Sequence, residues 1–217
     1  MQYDTLQNLT QKTIKKLSLY NGTDVQIYAE DRIADMIIDA YNELIDERFW
    51  SDCMQWSEFN LTGTNGIVSE TVSDYIKDFN DIECIFSEYN KRTQLRKSHN
   101  TTIPQVIEGN IPQLYKKCTN PNKVFEVIPY ASTGKLYVRY RTRLTNIYPQ
   151  DVVPFDSLAL VYKVCWQYTT DDGSNPAEQQ KFLKLYEDRM RELRNNESSG
   201  VYDWNDDSIN FDIYSWR

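Results

Sequence analysis

Hydrophobic positions in this chain change period twice. They begin at helical spacing, pass through a stretch of alternation, and return to helical spacing. Leu6, Leu9, Ile14 and Leu17 recur near a 3.6-residue period, with Lys12, Lys15 and Lys16 between them, which predicts a helix over about 4–20. Asn21 and Gly22 then end it, since glycine accepts the left-handed conformation that closes a helix. Thr23 or Asp24 can cap the next helix. Ile33, Met36, Ile37, Ala40, Tyr41, Leu44 and Ile45 share one apolar face, predicting a long helix over about 27–49 that runs into Phe49 and Trp50.

From about 55 to 148 the period shortens, and a β insertion is expected. Gln55 to Leu61 alternates like a strand, and residues 62–66 are a turn cluster. Ile82 to Phe86 reads as a short apolar strand after Asp78 and Asp81. Residues 87–122 are polar with little period and read as loop. Lys123 to Pro129 and Lys135 to Leu144 read as a hairpin around residues 131–134. Its second strand is two-faced: Lys135, Tyr137, Arg139, Arg141 and Arg143 on one side, Leu136, Val138, Tyr140, Thr142 and Leu144 on the other. Helical spacing resumes after Pro154, with Asp156 or Ser157 as cap. It predicts an almost wholly apolar helix over about 157–170 and an amphipathic one over about 176–194, begun by Asn175 and Pro176. The expected fold class is α+β, mainly α. It comprises a bundle of about four helices with a small β-sheet or hairpin insertion, one domain over 1–195, and an extended C-terminal arm over 196–217.

Composition narrows the chemistry. The 217 residues carry a net charge of -8, a poor setting for direct nucleic-acid binding, which needs basic residues against phosphates. The 16 tyrosines suit meeting surfaces, because each offers apolar area and a polar tip. Cys53, Cys84, Cys118 and Cys165 are too dispersed for a zinc knuckle or redox pair and are expected to be buried or free thiols in a reducing compartment. The start has no basic region followed by an apolar run, and no stretch reaches the length of a membrane span. A soluble protein made in the cytoplasm is expected. One histidine, His99, sits in a polar segment without a nucleophile partner. No phosphate loop, metalloprotease helix or calcium loop is present, so no catalytic residue, metal ligand or cofactor is expected.

Three charged or aromatic groupings remain. Asp31, Asp35, Asp39, Glu43 and Glu47 follow one another at steps of four and so form a stripe. It is either a solvated face partly neutralised by Arg32 and Arg48, or a wall facing a basic partner or a channel. Arg139, Arg141 and Arg143 are either the charged face of an edge strand or an inter-subunit contact, with DNA contact a weaker alternative. The C-terminal arm sets Tyr202, Trp204, Phe211, Ile213, Tyr214 and Trp216 among aspartates. It either packs back on its own domain or docks on another protein by strand addition or aromatic anchoring.

The order of these parts resembles the adaptor, or head-to-tail connector, proteins of tailed bacteriophages. These form the ring beneath the portal in short-tailed viruses. The resemblance covers about residues 24–195. It rests on the helix closing at Glu47, Arg48, Phe49 and Trp50, the segment Lys77–Ile82, the strand Lys135–Tyr140, the run Pro154–Tyr162 and the helix Glu178–Leu193. It implies a helical bundle with a β extension, twelve copies closing into a ring, and no reaction chemistry. The implied partners are other copies of itself, the portal protein and tail, nozzle or fibre proteins. Genomic DNA passes without specific binding, and no membrane is involved. The implied location is the virion neck or tail, after assembly in the host cytoplasm. A stopper, tail-tube or fibre-attachment component is the alternative.

Overall fold

The computed structural model describes residues 3–21, 29–62, 67–68, 72–98, 109–118, 124–130, 132–145, 147–171, 173 and 176–198. His99, Gly22, Thr23, Asp24, the turn at 63–66 and the whole arm from Tyr202 to Trp216 lie outside the described residues.

The fold is α+β. A two-residue strand β1 (Asp4–Thr5) leads into α1 (Leu6–Asn21), and α2 spans Ala29–Glu47. After the β segment come α4 (Ser157–Asp171) and α5 (Pro176–Ser198); α3 (Val72–Tyr75) is a single turn between strands. Side-chain oxygens hold two helix starts. Thr5 Oγ1 accepts from Asn8 N at 3.2 Å, and the Asp156 carboxylate accepts from Ala159 N at 3.0 Å. Each satisfies an amide that the helix itself leaves unpaired. The four long helices share one apolar core. Ile33, Ile37, Tyr41 and Leu44 of α2 meet Leu9 and Leu17 of α1, Leu160 and Val164 of α4, and Phe182 and Met190 of α5. Trp50 is fully buried there. Its Nε1 donates to the Leu44 carbonyl at 2.9 Å, and its ring stands edge-on to Phe155 at 5.3 Å.

The middle of the chain holds more sheet than the alternation predicts. The strands are β2 (Met54–Thr62), β3 (Ile67–Val68), β4 (Ile82–Ser87), β5 (Asn90–Gln94), β6 (Arg96–Ser98), β7 (Leu114–Lys117), β8 (Phe125–Ile128) and β9 (Lys135–Arg141). They pair in the order β5-β4-β9-β2-β3-β8-β7-β6. The outermost members, β5 and β6, are one run of chain interrupted only at Leu95. Leu95 N donates to Ile85 O at 2.8 Å on one side, and Arg96 N donates to Gln113 O at 3.2 Å on the other. The ladder therefore closes on itself as a small barrel. Phe59, Ile85, Leu95, Tyr115, Phe125, Val127, Leu136, Val138 and Tyr140 fill it, as expected when a small barrel's inward positions are apolar.

Three expectations change. Residues 87–122 are not simply loop, since they contain β5, β6 and β7. Their polar composition hides a tight hairpin of β5 with the adjacent β4 and, after it, β6 and β7, which pair with each other and with β8. The segments around 125–128 and 135–141 are strands but do not form a hairpin. β8 pairs with β3 and β7, while β9 pairs with β2 and β4. The inward row Leu136, Val138, Tyr140 matches inward rows on β2 and β4, and that register outweighs local turn chemistry. It follows that β9 is central, not an edge. A last strand, β10 (Val152–Val153), pairs antiparallel with β1, opposing Thr5 to Val152 and Asp4 to Val153.

Candidate interaction surfaces

Asp81 is the hub of a buried ion network. It ends a one-turn 3-10 helix (Phe79–Asp81) that begins with a reciprocal capping box between Asp78 and Asp81. Its carboxylate is fully buried and accepts from Arg141 Nε at 2.8 Å, from Arg143 Nε at 2.9 Å and from Asp78 N at 3.1 Å. Arg141 also donates to the Asn80 carbonyl at 3.0 Å and to the Ile45 carbonyl of α2, and its guanidinium lies over the Phe49 ring at 5.0 Å. Arg143 reaches Asp46 of α2 at 2.6 Å and holds that carboxyl below its ordinary value. A buried carboxylate is tolerable only with such multiple charge-assisted donors. The cluster joins the barrel to the last turn of α2.

These contacts correct the reading of Arg139, Arg141 and Arg143 as an open basic face. β9 is not an edge, and each arginine has an acid inside the chain. Arg141 is buried, with 9% of its side chain exposed, so it cannot front a neighbour. Arg139 pairs with Glu83 at 3.0 Å and is nearly covered. Burial raises the Glu83 carboxyl, with Arg139 opposing that shift. Asp81 and Asp46 were missed by the sequence pattern, although the spacing of Asp78 and Asp81 is a readable capping signal.

The acidic stripe is placed as the helical spacing requires. Asp31, Asp35, Asp39, Glu43 and Glu47 are all exposed along α2. Cations from α4 and α5 also neutralise it. Glu43 takes Lys163 at 2.9 Å and Gln167 at 3.2 Å, and Glu47 takes Arg194 at 3.5 Å. Arg32 pairs instead with Asp171 and lies over Tyr168, and Arg48 lies over Trp50. Asp31, Asp35 and Asp39 have no ion-pair partner among the described residues. The charge of the stripe therefore concentrates toward the start of α2.

Two groups of exposed apolar side chains were not anticipated. Tyr89, Ile111 and Tyr130 stand on turns at the barrel end away from α2, where Thr133 N donates to Asn110 O at 3.0 Å. Gly134 permits this packing. Its φ is +104°, and a Cβ there would lie 2.3 Å from Glu88 Oε1 and 2.8 Å from the Tyr89 ring. Tyr3, Tyr148, Val152 and Leu158 gather around the β1–β10 ribbon and the first turn of α4. In both groups the available signal is a tyrosine beside turn residues.

For chemistry, the geometry offers little. All four cysteines are free and buried, and burial pushes the Cys84 and Cys165 thiols up to about 12. Among the described residues no group of three or more His, Cys, Asp or Glu is arranged to hold a metal ion, and no helix is long and apolar enough to cross a membrane. The chain matches no protein-family model and no curated protein.

Proposed function

We propose that the chain is a structural subunit of a tailed-phage neck: an adaptor that forms a ring on the portal, joins capsid to tail and surrounds the DNA channel. In this reading the four long helices are the bundle and the barrel is its β extension. The ring, a dodecamer by resemblance, presents sites for tail or fibre proteins. Assembly in the host cytoplasm and residence in the virion follow from the same reading.

The observation that carries it is the convergence of the residues that carry the resemblance. The aromatic end of α2 and the Pro154–Phe155 run lie far apart in sequence, yet Trp50 packs on Phe155 at 5.3 Å. Residues of the Lys77–Ile82 segment meet the end of the basic strand through Asp81 and Arg141 at 2.8 Å. The pieces of the pattern thus act as one packed unit, as a shared architecture requires. The exposed acids of α2 add a second support. A negative wall repels phosphates and lets duplex DNA pass without sticking.

The test uses the full chain mixed with the portal protein of its own virus and imaged by electron microscopy. The expected result is an added ring of density under the portal. A bare portal at micromolar concentrations of both would overturn the reading. Binding only to tail proteins would replace it with another neck or tail component.

A further inference from the structure

The ribbon of β1 and β10 turns one face inward and one outward. Val153 is wholly buried, so its neighbour Val152, opposite Thr5, faces out. Tyr3, just before β1, borders that face, with its hydroxyl held by Asp52 and its ring partly exposed. Leu158, in the first turn of α4, comes after the short Pro154–Asp156 link, and Tyr148 lies in the turn that enters β10. All four are large and 42–66% exposed. Scattered apolar residues need no explanation, but a gathered set rimmed by polar groups marks a binding surface.

The end of α5 identifies the occupant. α4 and α5 run antiparallel: Gln179 near the start of α5 reaches the Thr169 carbonyl at 3.1 Å, and Arg189 reaches Asp156 at the start of α4 at 2.6 Å. α5 continues to Ser198. Its last turns therefore overhang the first residue of α4 by about 13 Å at 1.5 Å per residue. The chain thus leaves α5 beyond the start of α4, the end of the helical core at which Leu158 lies. Residues 199–217 follow, with an extended reach of about 60 Å. Ile209, Phe211 and Ile213 alternate with Asn210, Asp212 and Tyr214, which suits one face against a shallow apolar surface and the other against water.

We infer that the C-terminal segment, residues 199–217, seats on its own chain's patch of Tyr3, Tyr148, Val152 and Leu158. Tethering raises the local concentration of the segment at this surface far above that of any free competitor. The inference does not depend on the phage reading, because it concerns the isolated chain.

Two experiments on the full chain test it. A photo-crosslinking residue replacing Phe211 should couple to peptides spanning 3–6 or 147–158. In a mixture of isotopically light and heavy protein, the crosslinks should stay within one chain. Crosslinks elsewhere, none at all, or only between chains overturn it. Separately, Val152→Asp with Leu158→Asp should speed chymotryptic cleavage after Tyr202, Trp204 and Phe211 at least tenfold without altering helical circular dichroism. An unchanged cleavage rate overturns it. If the double variant misfolds, Val152→Ser alone carries the same test.

Discussion

Asp81 shows how a single side chain can hold two parts of a protein together. It is a fully buried acid with two guanidinium partners, and its loss leaves the buried Arg141 with only the more distant Asp46, at 3.5 Å, as an acid partner. Asp81→Ala is expected to cost about 3–5 kcal/mol in urea unfolding, the usual range for breaking a buried pair from one side. Asp46→Ala, at the half-exposed end of the same network, should cost under about 1 kcal/mol. The cysteines make a simpler residue-scale prediction. With Cys84 and Cys165 raised to about 12 and all four buried, thiol reagents should react negligibly with native protein at pH 8 and with four thiols after denaturation. The acid side of the stability curve follows from Asp156. Burial alone would raise its carboxyl, but Arg189 and the amides of Ala159 and Leu158 hold it below its ordinary 3.8. Asp46 and Asp4 are also lowered. A folded value below the unfolded one stabilises the protein above the unfolded value and loses that contribution as pH falls through the folded one. The urea midpoint should therefore hold down to about pH 5 and fall below about pH 4, with Glu83, raised by burial, shallowing the fall. Arg189→Gln should flatten that fall further.

Among the elements, the helices are the legible part and the sheet is not. An amphipathic helix is specified by its own residues, so the 3.6-residue period placed α1, α2, α4 and α5 within a few residues of their ends. A strand in a closed barrel is specified by partners far away. β6 and β7 are polar and find partners across intervening chain, while β5 turns straight back on β4 at Glu88 and Tyr89, a hairpin that its polar composition hides. The inward row of β9 was readable, but its neighbours were not, and so Arg139, Arg141 and Arg143 were given to an edge. Only exposure on α2 could be read from spacing alone, and the acids there are exposed as spaced. Neutralising three of them in Asp31→Asn, Asp35→Asn, Asp39→Asn should leave the melting temperature unchanged or raise it slightly, since each like-charge pair costs about 0.2–0.5 kcal/mol. Gly134 was read only as part of a turn, although among the described glycines it is the one that combines a positive φ with no room for a Cβ. Gly134→Ala should destabilise by about 1–2 kcal/mol or more, through the positive φ and the clash with Glu88 and Tyr89, measurable by thermal melting.

At the scale of the whole molecule, the helical core and the barrel each have their own apolar centre. The Arg141 and Arg143 network spans the gap between them. Removing it should do more than lower total stability. Calorimetry should give one unfolding step for the native chain and two for Asp81→Ala, because the two apolar centres are then joined by fewer contacts. A single sharper transition in the variant would mean that the aromatic contacts around Phe49 and Trp50 suffice as the joint.

The pairing of β1 with β10 also sets a schedule for synthesis. Its two members are about 150 residues apart, and α4 and α5, which complete the core around α1 and α2, emerge later still. β2 likewise waits for β9 to leave the ribosome. A nascent chain stalled near residue 120 therefore has neither core complete, and its apolar helix faces remain available to chaperones.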